Sequence, residues 1–171
     1  YFAPAIEALK EHYRQSEVKH ADETGWRNDG QNGYAWLFCT TKVSLFCFEH
    51  TRSAEVPMKV FGHDDISGVL VVDRYSAYNR IRIRIQYCYA HLLREVEKLQ
   101  KDFPDSREVT SFVNVLAPLL SEAMKLRTQP ITDRQYCRRA NKIKKLIIQT
   151  NKSPAHHLGI RAIQDIFIQK E

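Results

Sequence analysis

The sequence predicts an α/β fold in which a mixed sheet is followed by an α-helical region. Three observations predict it. The run Val69-Leu70-Val71-Val72 is apolar at every position and mostly β-branched, as in a strand buried on both faces. Upstream of it, three strand-like runs follow one another at residues 18–26, 34–39 and 43–48. Beyond residue 90, apolar residues recur at helical spacing to the end of the chain.

Taken in order, residues 4–15 open with Pro4 at a helix-start position and place Ile6, Leu9 and Tyr13 at helical spacing. Residues 18–26 read as a strand carrying Asp22, despite their polarity. Asn28-Asp29-Gly30-Gln31-Asn32-Gly33 is a turn cluster, and the next two runs, joined by Thr40-Thr41-Lys42, form a hairpin. Ser53 is placed to cap a short helix that reaches Val60 and stops at Gly62. The buried strand follows, and the intervening helix predicts a crossover to a parallel position. Ile81, Ile83 and Ile85 alternate with Arg80, Arg82 and Arg84, so a fifth strand is apolar on one face and basic on the other. Residues 90–101 are a helix. Asp105 with Glu108 and Thr132 with Gln135 make capping boxes for two more, the first interrupted or kinked at Pro118. Ser153-Pro154 opens a last helix bearing Leu158, Ala162, Ile163, Ile166 and Phe167. The expected organisation is a core over 1–94 and a helical insertion region over 95–171.

At 171 residues, 43% hydrophobic and 27% charged, the chain has the composition of an ordinary globular protein with a real core. No run is long enough to span a membrane and no signal peptide opens the chain, so a cytoplasmic protein is expected. Cys39, Cys47, Cys88 and Cys137 show no paired spacing and read as free thiols. The chain opens at Tyr1 rather than Met and closes within a helical pattern, which reads as a fragment of a longer polypeptide. The net charge of +6 is concentrated: between Arg127 and Lys152 lie eight Lys or Arg against one acid, Asp133. A polyanionic partner and a solvated helix face both fit that run.

The element order matches the ribonuclease-H-like arrangement, in which the first and fourth strands lie side by side. Asp22 falls on the first strand and Asp73 ends the fourth. Asp73 alone is either a strand-terminating cap or a metal ligand. Two carboxylates brought together repel unless a cation lies between them. Hard oxygen donors suit Mg²⁺ or Mn²⁺, and a two-metal site would serve in-line phosphoryl displacement.

Three ordered blocks carry a family resemblance. His20-Ala21-Asp22-Glu23-Thr24-Gly25-Trp26-Arg27 resembles the first catalytic block of insertion-sequence 66 family transposases. Val72-Asp73-Arg74-Tyr75-Ser76-Ala77-Tyr78-Asn79 is similar to their second, an Asp followed by Tyr-x-Ala-Tyr. Cys88-Tyr89-Ala90-His91-Leu92-Leu93-Arg94 is similar to the block after it. The resemblance implies a bacterial DDE transposase catalytic domain that cleaves and transfers DNA strands with two divalent metals, Asp22 and Asp73 being the first two acids. It further implies transposon-end and target DNA as partners and a homo-oligomer in the active complex. The family's third acid is a glutamate in an Asn-rich block ahead of Arg-Pro. No such block stands in this sequence, so the third acid is expected after Glu171 and the active site is expected to be incomplete.

Other residues are weighed beside these. Glu95 shares a helix face with His91 and would be the third acid of a simpler ribonuclease-H-like nuclease. Glu23, on the strand face opposite Asp22, reads as a salt-bridge residue. Asp64 and Asp65 read as solvated loop residues, and Glu171 as an outside candidate for the missing acid. Cys88-x-x-His91 lacks the further ligands of a zinc site and resembles a signature found after the second aspartate in several DDE superfamilies. On that resemblance His91 holds the scissile phosphate or a catalytic carboxylate; a locally bonded helix-start histidine is the bland alternative. Arg74 and Arg94 are candidate phosphate contacts, although Leu93 stands where the family usually has a second basic residue. The alternatives to a transposase core are a non-catalytic DNA-binding or assembly module and a nuclease using Asp22, Asp73 and Glu95.

Overall fold

The computed structural model describes residues 2–168, and the chain forms two compact units, one ending at Cys88 and one beginning at Tyr89. The first opens with α1 (Ala3–Gln15), which has proline in its first turn. Of its expected stripe only Tyr13 is buried; Ile6 and Leu9 stay about two-fifths exposed, at 45% and 41%. Strands β1 (Val18–Asn28), β2 (Gln31–Cys39) and β3 (Ser44–Glu49) follow as an antiparallel meander, with Asp22 opposite Leu37 and Leu37 opposite Phe46.

Helix α2 (Glu55–Phe61) then crosses over to β4 (Val69–Val72), which runs parallel to β1. Ser53 does not cap α2 with its side chain: Ala54 is the N-cap, and the Ser53 carbonyl accepts the Val56 N–H at 3.2 Å. Gly62, at φ +80°, ends the helix as expected. A 3₁₀ turn (Ser76–Arg80) leads to β5 (Arg84–Tyr87), parallel to β4. This last strand is shorter than the Ile/Arg alternation suggests. Ile81 leaves the ladder and is buried in the core instead.

The strand order is β3-β2-β1-β4-β5, three antiparallel and two added in parallel, which is the ribonuclease-H-like sheet. Its core forms on one pleat face. Ala21, Trp36, Phe38, Leu70 and Val72 meet Tyr13 of α1 and Val56, Val60 and Phe61 of α2. Tyr13, Phe38 and Phe61 make mutual edge-to-face contacts at centroid distances of 5.4–6.1 Å. On β4, Leu70 and Val72 are buried while Val69 and Val71 are half-buried, so the uniform apolar run conceals an alternation.

The second unit is helical: α3 (Tyr89–Asp102), α4 (Arg107–Lys125), α5 (Asp133–Lys152) and α6 (Leu158–Ile168). Ser106 caps α4 by accepting the Val109 N–H, in place of the expected Asp105 box. Glu108 instead accepts the N–H groups of His156 and His157 at 2.7 and 3.1 Å, tying the start of α4 to the approach to α6. Helix α4 runs through Pro118, with Leu116 and Leu120 fully buried on its inner face. The Thr132–Gln135 capping box of α5 is present, and Ile143 and Ile147 are buried as its spacing predicts. Helix α6 starts at Leu158 rather than at Ser153. Leu158 is exposed, and Ile160 and Ile163 do the packing. The side chains of Ile166 and Phe167, and Glu171 altogether, lie outside the described residues. Leu116→Ala is expected to cost about 3 kcal/mol by leaving a cavity among Val113, Leu120 and Ile147, measurable as a lower urea midpoint. Among the described residues no helix is long and apolar enough to cross a membrane.

Candidate active site

The β1–β4 ladder places the two aspartates. Its rungs pair Val18 with Val69, Lys19 with Leu70 and His20 with Val71. Two residues beyond the last rung stand Asp22, still within β1, and Asp73, just past the end of β4. Strand neighbours sit about 5 Å apart, so the register brings both residues to the same end of the β1–β4 ladder. Asp22 is exposed, and its Oδ1 accepts the Glu23 N–H at 3.1 Å. Asp73 is half-buried, and its Oδ1 accepts the Tyr75 N–H at 2.8 Å, an Asx turn that ends β4. Cap and candidate ligand are therefore compatible roles, because the turn engages one oxygen of two.

Glu23 points the other way. It pairs with Trp36, follows the parity of Ala21, and its side chain has no exposure. Tyr78 donates its hydroxyl to Glu23 Oε2 at 2.5 Å, and Arg52 donates from Nε at 2.9 Å and from Nη2, both to Oε1. Burial pushes the Glu23 carboxyl above its ordinary range and Asp73 adds to the push, while the Tyr78 and Arg52 bonds oppose it. Tyr78 is raised by burial first, then by Glu23, Asp73 and Asp22. The influence of all three acids on one hydroxyl shows negative charge converging at this edge. The Arg52 guanidinium lies 3.9 Å from the Tyr75 ring centroid, and the Tyr75 hydroxyl donates to the Arg52 carbonyl.

The remaining predicted residues are distributed as follows. Arg74 is exposed beside Asp73 in the first unit. Cys88 ends that unit, its N–H donating to the Val72 carbonyl at 2.7 Å. His91, Arg94 and Glu95 belong to α3 of the second unit, the first half-buried and the others exposed. Asp64 and Asp65 are exposed loop residues, and all four cysteines are free. Of the aromatics around the two motif blocks, Trp36 and Tyr78 are buried, Tyr75 is half-buried and Trp26 is 54% exposed. A cavity of about 460 Å³ opens near the β1–β2 turn, lined by Trp26, Asn32, Tyr34, Phe48 and His50 among others; no predicted site residue lines it. Among the described residues no three His, Cys, Asp or Glu side chains gather as a metal-binding group. The Asp22–Asp73 pair supplies hard oxygen donors that fit a divalent cation in kind, as two ligands of a larger set.

Arg52 is the residue that sequence reasoning passes over. It stands in a polar loop, and only the buried carboxylate of Glu23 gives it significance. The available signal was Glu23 itself: a charge at an inward strand position needs a partner.

The sequence matches the family model described as "Transposase IS66 family" over residues 1–164. The chain belongs to the IS66 transposase family. No curated protein sequence matches it. Among solved structures, the IS66 chain is similar to a simian T-cell lymphotropic virus intasome in complex with PP2A regulatory subunit B56 gamma. The identity there is 10% and the TM-score 0.34, over 54% of this chain and 44% of that one. It is also similar to the HTLV-2 integrase catalytic core domain in complex with magnesium. The trimeric form matches at 9% identity and TM-score 0.33, over 57% of this chain and 80% of that one. The dimeric form matches at 9% and 0.33, over 88% and 96%. Overlaps this loose carry no weight for activity, metal or assembly, and the strand order of the sheet is what places the fold.

Proposed function

We propose that this IS66 family chain supplies the Asp22–Asp73 half of a metal-dependent site for DNA strand cleavage and transfer. The observation that carries the reading is the β1–β4 register, which puts Asp22 and Asp73 each two residues beyond the last rung, at the end of the parallel ladder where β4 stops. Asp22 and Asp73 would hold Mg²⁺ or Mn²⁺, with a further acid completing the set. A divalent cation bound there supplies Lewis-acid activation of the attacking hydroxyl and neutralises charge on the leaving oxygen. The side chains do the rest: the Asx turn fixes the direction of Asp73, and the buried Glu23–Tyr78 pair holds the backbone on either side of the site. The partners are transposon-end and target DNA, and the active assembly is a homo-oligomer. His91, Arg74 and Arg94 are assigned to the DNA as phosphate contacts.

The test is calorimetric titration of Mn²⁺ into the protein and into its Asp22→Asn and Asp73→Asn variants. Binding in the parent that both substitutions abolish is the expected result; equal binding in all three sinks the assignment. A nuclease using Glu95 predicts that Glu95→Gln abolishes cleavage as fully as Asp73→Asn does.

DNA is further supported by α5, where Arg134, Arg138, Lys142 and Lys145 form one exposed stripe opposite the buried Ile143 and Ile147. Replacing Arg134, Arg138 and Lys142 by Ala is expected to lower the slope of log affinity against log salt by as much as about three units for duplex DNA. An unchanged slope would return this stripe to a solvated helix face.

A further inference from the structure

A phosphodiester that approaches Asp22 and Asp73 meets like charge, and cations shared between the carboxylates offset only part of it. The edge of the sheet needs a fixed positive group, and the structure holds one there. Arg52 lies in the loop between β3 and α2 and is 42% exposed at its side chain. Three contacts fix it. Two guanidinium nitrogens grip Oε1 of Glu23, its central carbon rests over the Tyr75 ring, and its own carbonyl accepts the Tyr75 hydroxyl. The loop is also braced by the Ser53 N–H on Thr51 Oγ1 at 3.1 Å. Tyr75 is the residue whose N–H is held by Asp73, so one ring couples the guanidinium to the proposed ligand. Arg52 lies close enough for the Asp73 charge to act on it.

An exposed arginine normally spends about 2 kcal/mol of side-chain entropy to be held in one place. Here that cost is met before any ligand arrives, by a buried carboxylate that has no exposure of its own. A surface ion pair made only for stability is worth about 0–1 kcal/mol and does not require an anchor buried in the core. We infer that Arg52 is a DNA-phosphate-binding residue beside Asp73, and that Glu23, with Tyr75, is the residue that positions it. The inference rests on the reading of Asp22 and Asp73 as the cutting site. It adds a substrate contact that neither the motif blocks nor the charge pattern marks.

The experiment measures binding of a labelled random-sequence duplex by full-length transposase without divalent metal, across a potassium chloride series. Arg52→Gln is expected to weaken binding about tenfold at low salt and to lower the salt slope by about one unit. Arg52→Lys keeps the charge and is expected to keep the slope. Because Arg52→Gln alone leaves a buried carboxylate without its cation, the comparison is repeated with Glu23→Gln against Glu23→Gln/Arg52→Gln. That double variant retains a neutral hydrogen-bonding pair, and a smaller loss of slope is expected between the two than between the parent and Arg52→Gln, because Glu23→Gln has already released Arg52 from its anchor. Glu23→Gln should weaken binding when Arg52 is present and add nothing once Arg52 is Gln. Wild-type affinity and slope in both Arg52→Gln variants would overturn the inference, as would a Glu23→Gln effect that is fully additive. Failure of the underlying reading is seen separately: Asp73→Asn would then cleave DNA as the parent does, whatever Arg52 contributes to binding.

Discussion

Asp73→Asn is expected to reduce metal-dependent DNA cleavage by about a thousandfold or more while leaving the fold and metal-free DNA binding intact. The size follows from the proposed ligand role, since losing a ligand charge forfeits several kcal/mol of transition-state stabilisation. The selectivity follows from the turn. Oδ1 of Asp73 accepts the Tyr75 N–H, and the side-chain oxygen of asparagine can accept the same bond. The end of β4 therefore keeps its shape, and Tyr75 and Tyr78 stay where the Arg52–Glu23 network needs them. Asp22→Asn should match it in activity, since Asp22 stands level with Asp73 two residues beyond the last β1–β4 rung. The measurements are single-turnover cleavage in Mg²⁺, thermal melting, and anisotropy in chelator. Cleavage within threefold of the parent would remove Asp73 from the chemistry. A melting temperature lowered together with activity would make it a structural cap and no more.

The sheet was largely legible because its signals are local. Turn clusters separate the first three strands, a helix enforces the crossover, and the hydrophobic run of β4 has no competing reading. What was not legible depended on partners distant in sequence. Asp105 and Ser106 are both good caps, and only the tertiary demand on Glu108, which binds the amides of His156 and His157, decides between them. Ser153-Pro154 looks like a helix start, yet the chain delays α6 until Leu158, after those amides have been satisfied. The isoleucine alternation at residues 81–85 overstated β5, because Ile81 is worth more in the core with Tyr78 than in a ladder. Asp22 and Asp73 were legible as the acids of two motif blocks, and the structure places Asp22 within β1 and Asp73 just past β4. Arg52 was not legible: its loop has no periodicity, and its significance comes from Glu23, far away in sequence and hidden by the parity of β1.

Gly68→Ala is expected to be the most damaging small substitution in the first unit, costing about 3 kcal/mol. Gly68 sits at φ +87°, and an added Cβ would meet the Glu17 carbonyl oxygen at 2.4 Å, with the Glu17 carbon and the Ser16 oxygen each at 3.0 Å. All three are backbone atoms and cannot swing aside. The left-handed strain costs on the order of 1–3 kcal/mol, and forced overpacking adds a similar amount. The damage falls on the seam that aligns the aspartates. The Val69 N–H donates to the Glu17 carbonyl at 2.8 Å, and the buried Lys19 ammonium donates to the carbonyls of Ser16 and Ser67. Pushing Gly68 away from Glu17 therefore opens the β1–β4 pair at its first rung, the pair whose far end carries Asp22 and Asp73. Two other glycines calibrate the result. An alanine at Gly62 meets nothing within 4 Å but inherits φ +80°, so it should pay strain alone. An alanine at Gly25 meets nothing within 4 Å and inherits no such backbone, so it should be nearly neutral. Urea midpoints should fall in the order Gly25→Ala, Gly62→Ala, Gly68→Ala, with cleavage lost more steeply than stability for the last alone. If Gly62→Ala proves as harmful as Gly68→Ala, backbone strain dominates and the close approach to Glu17 is not what registers the two strands.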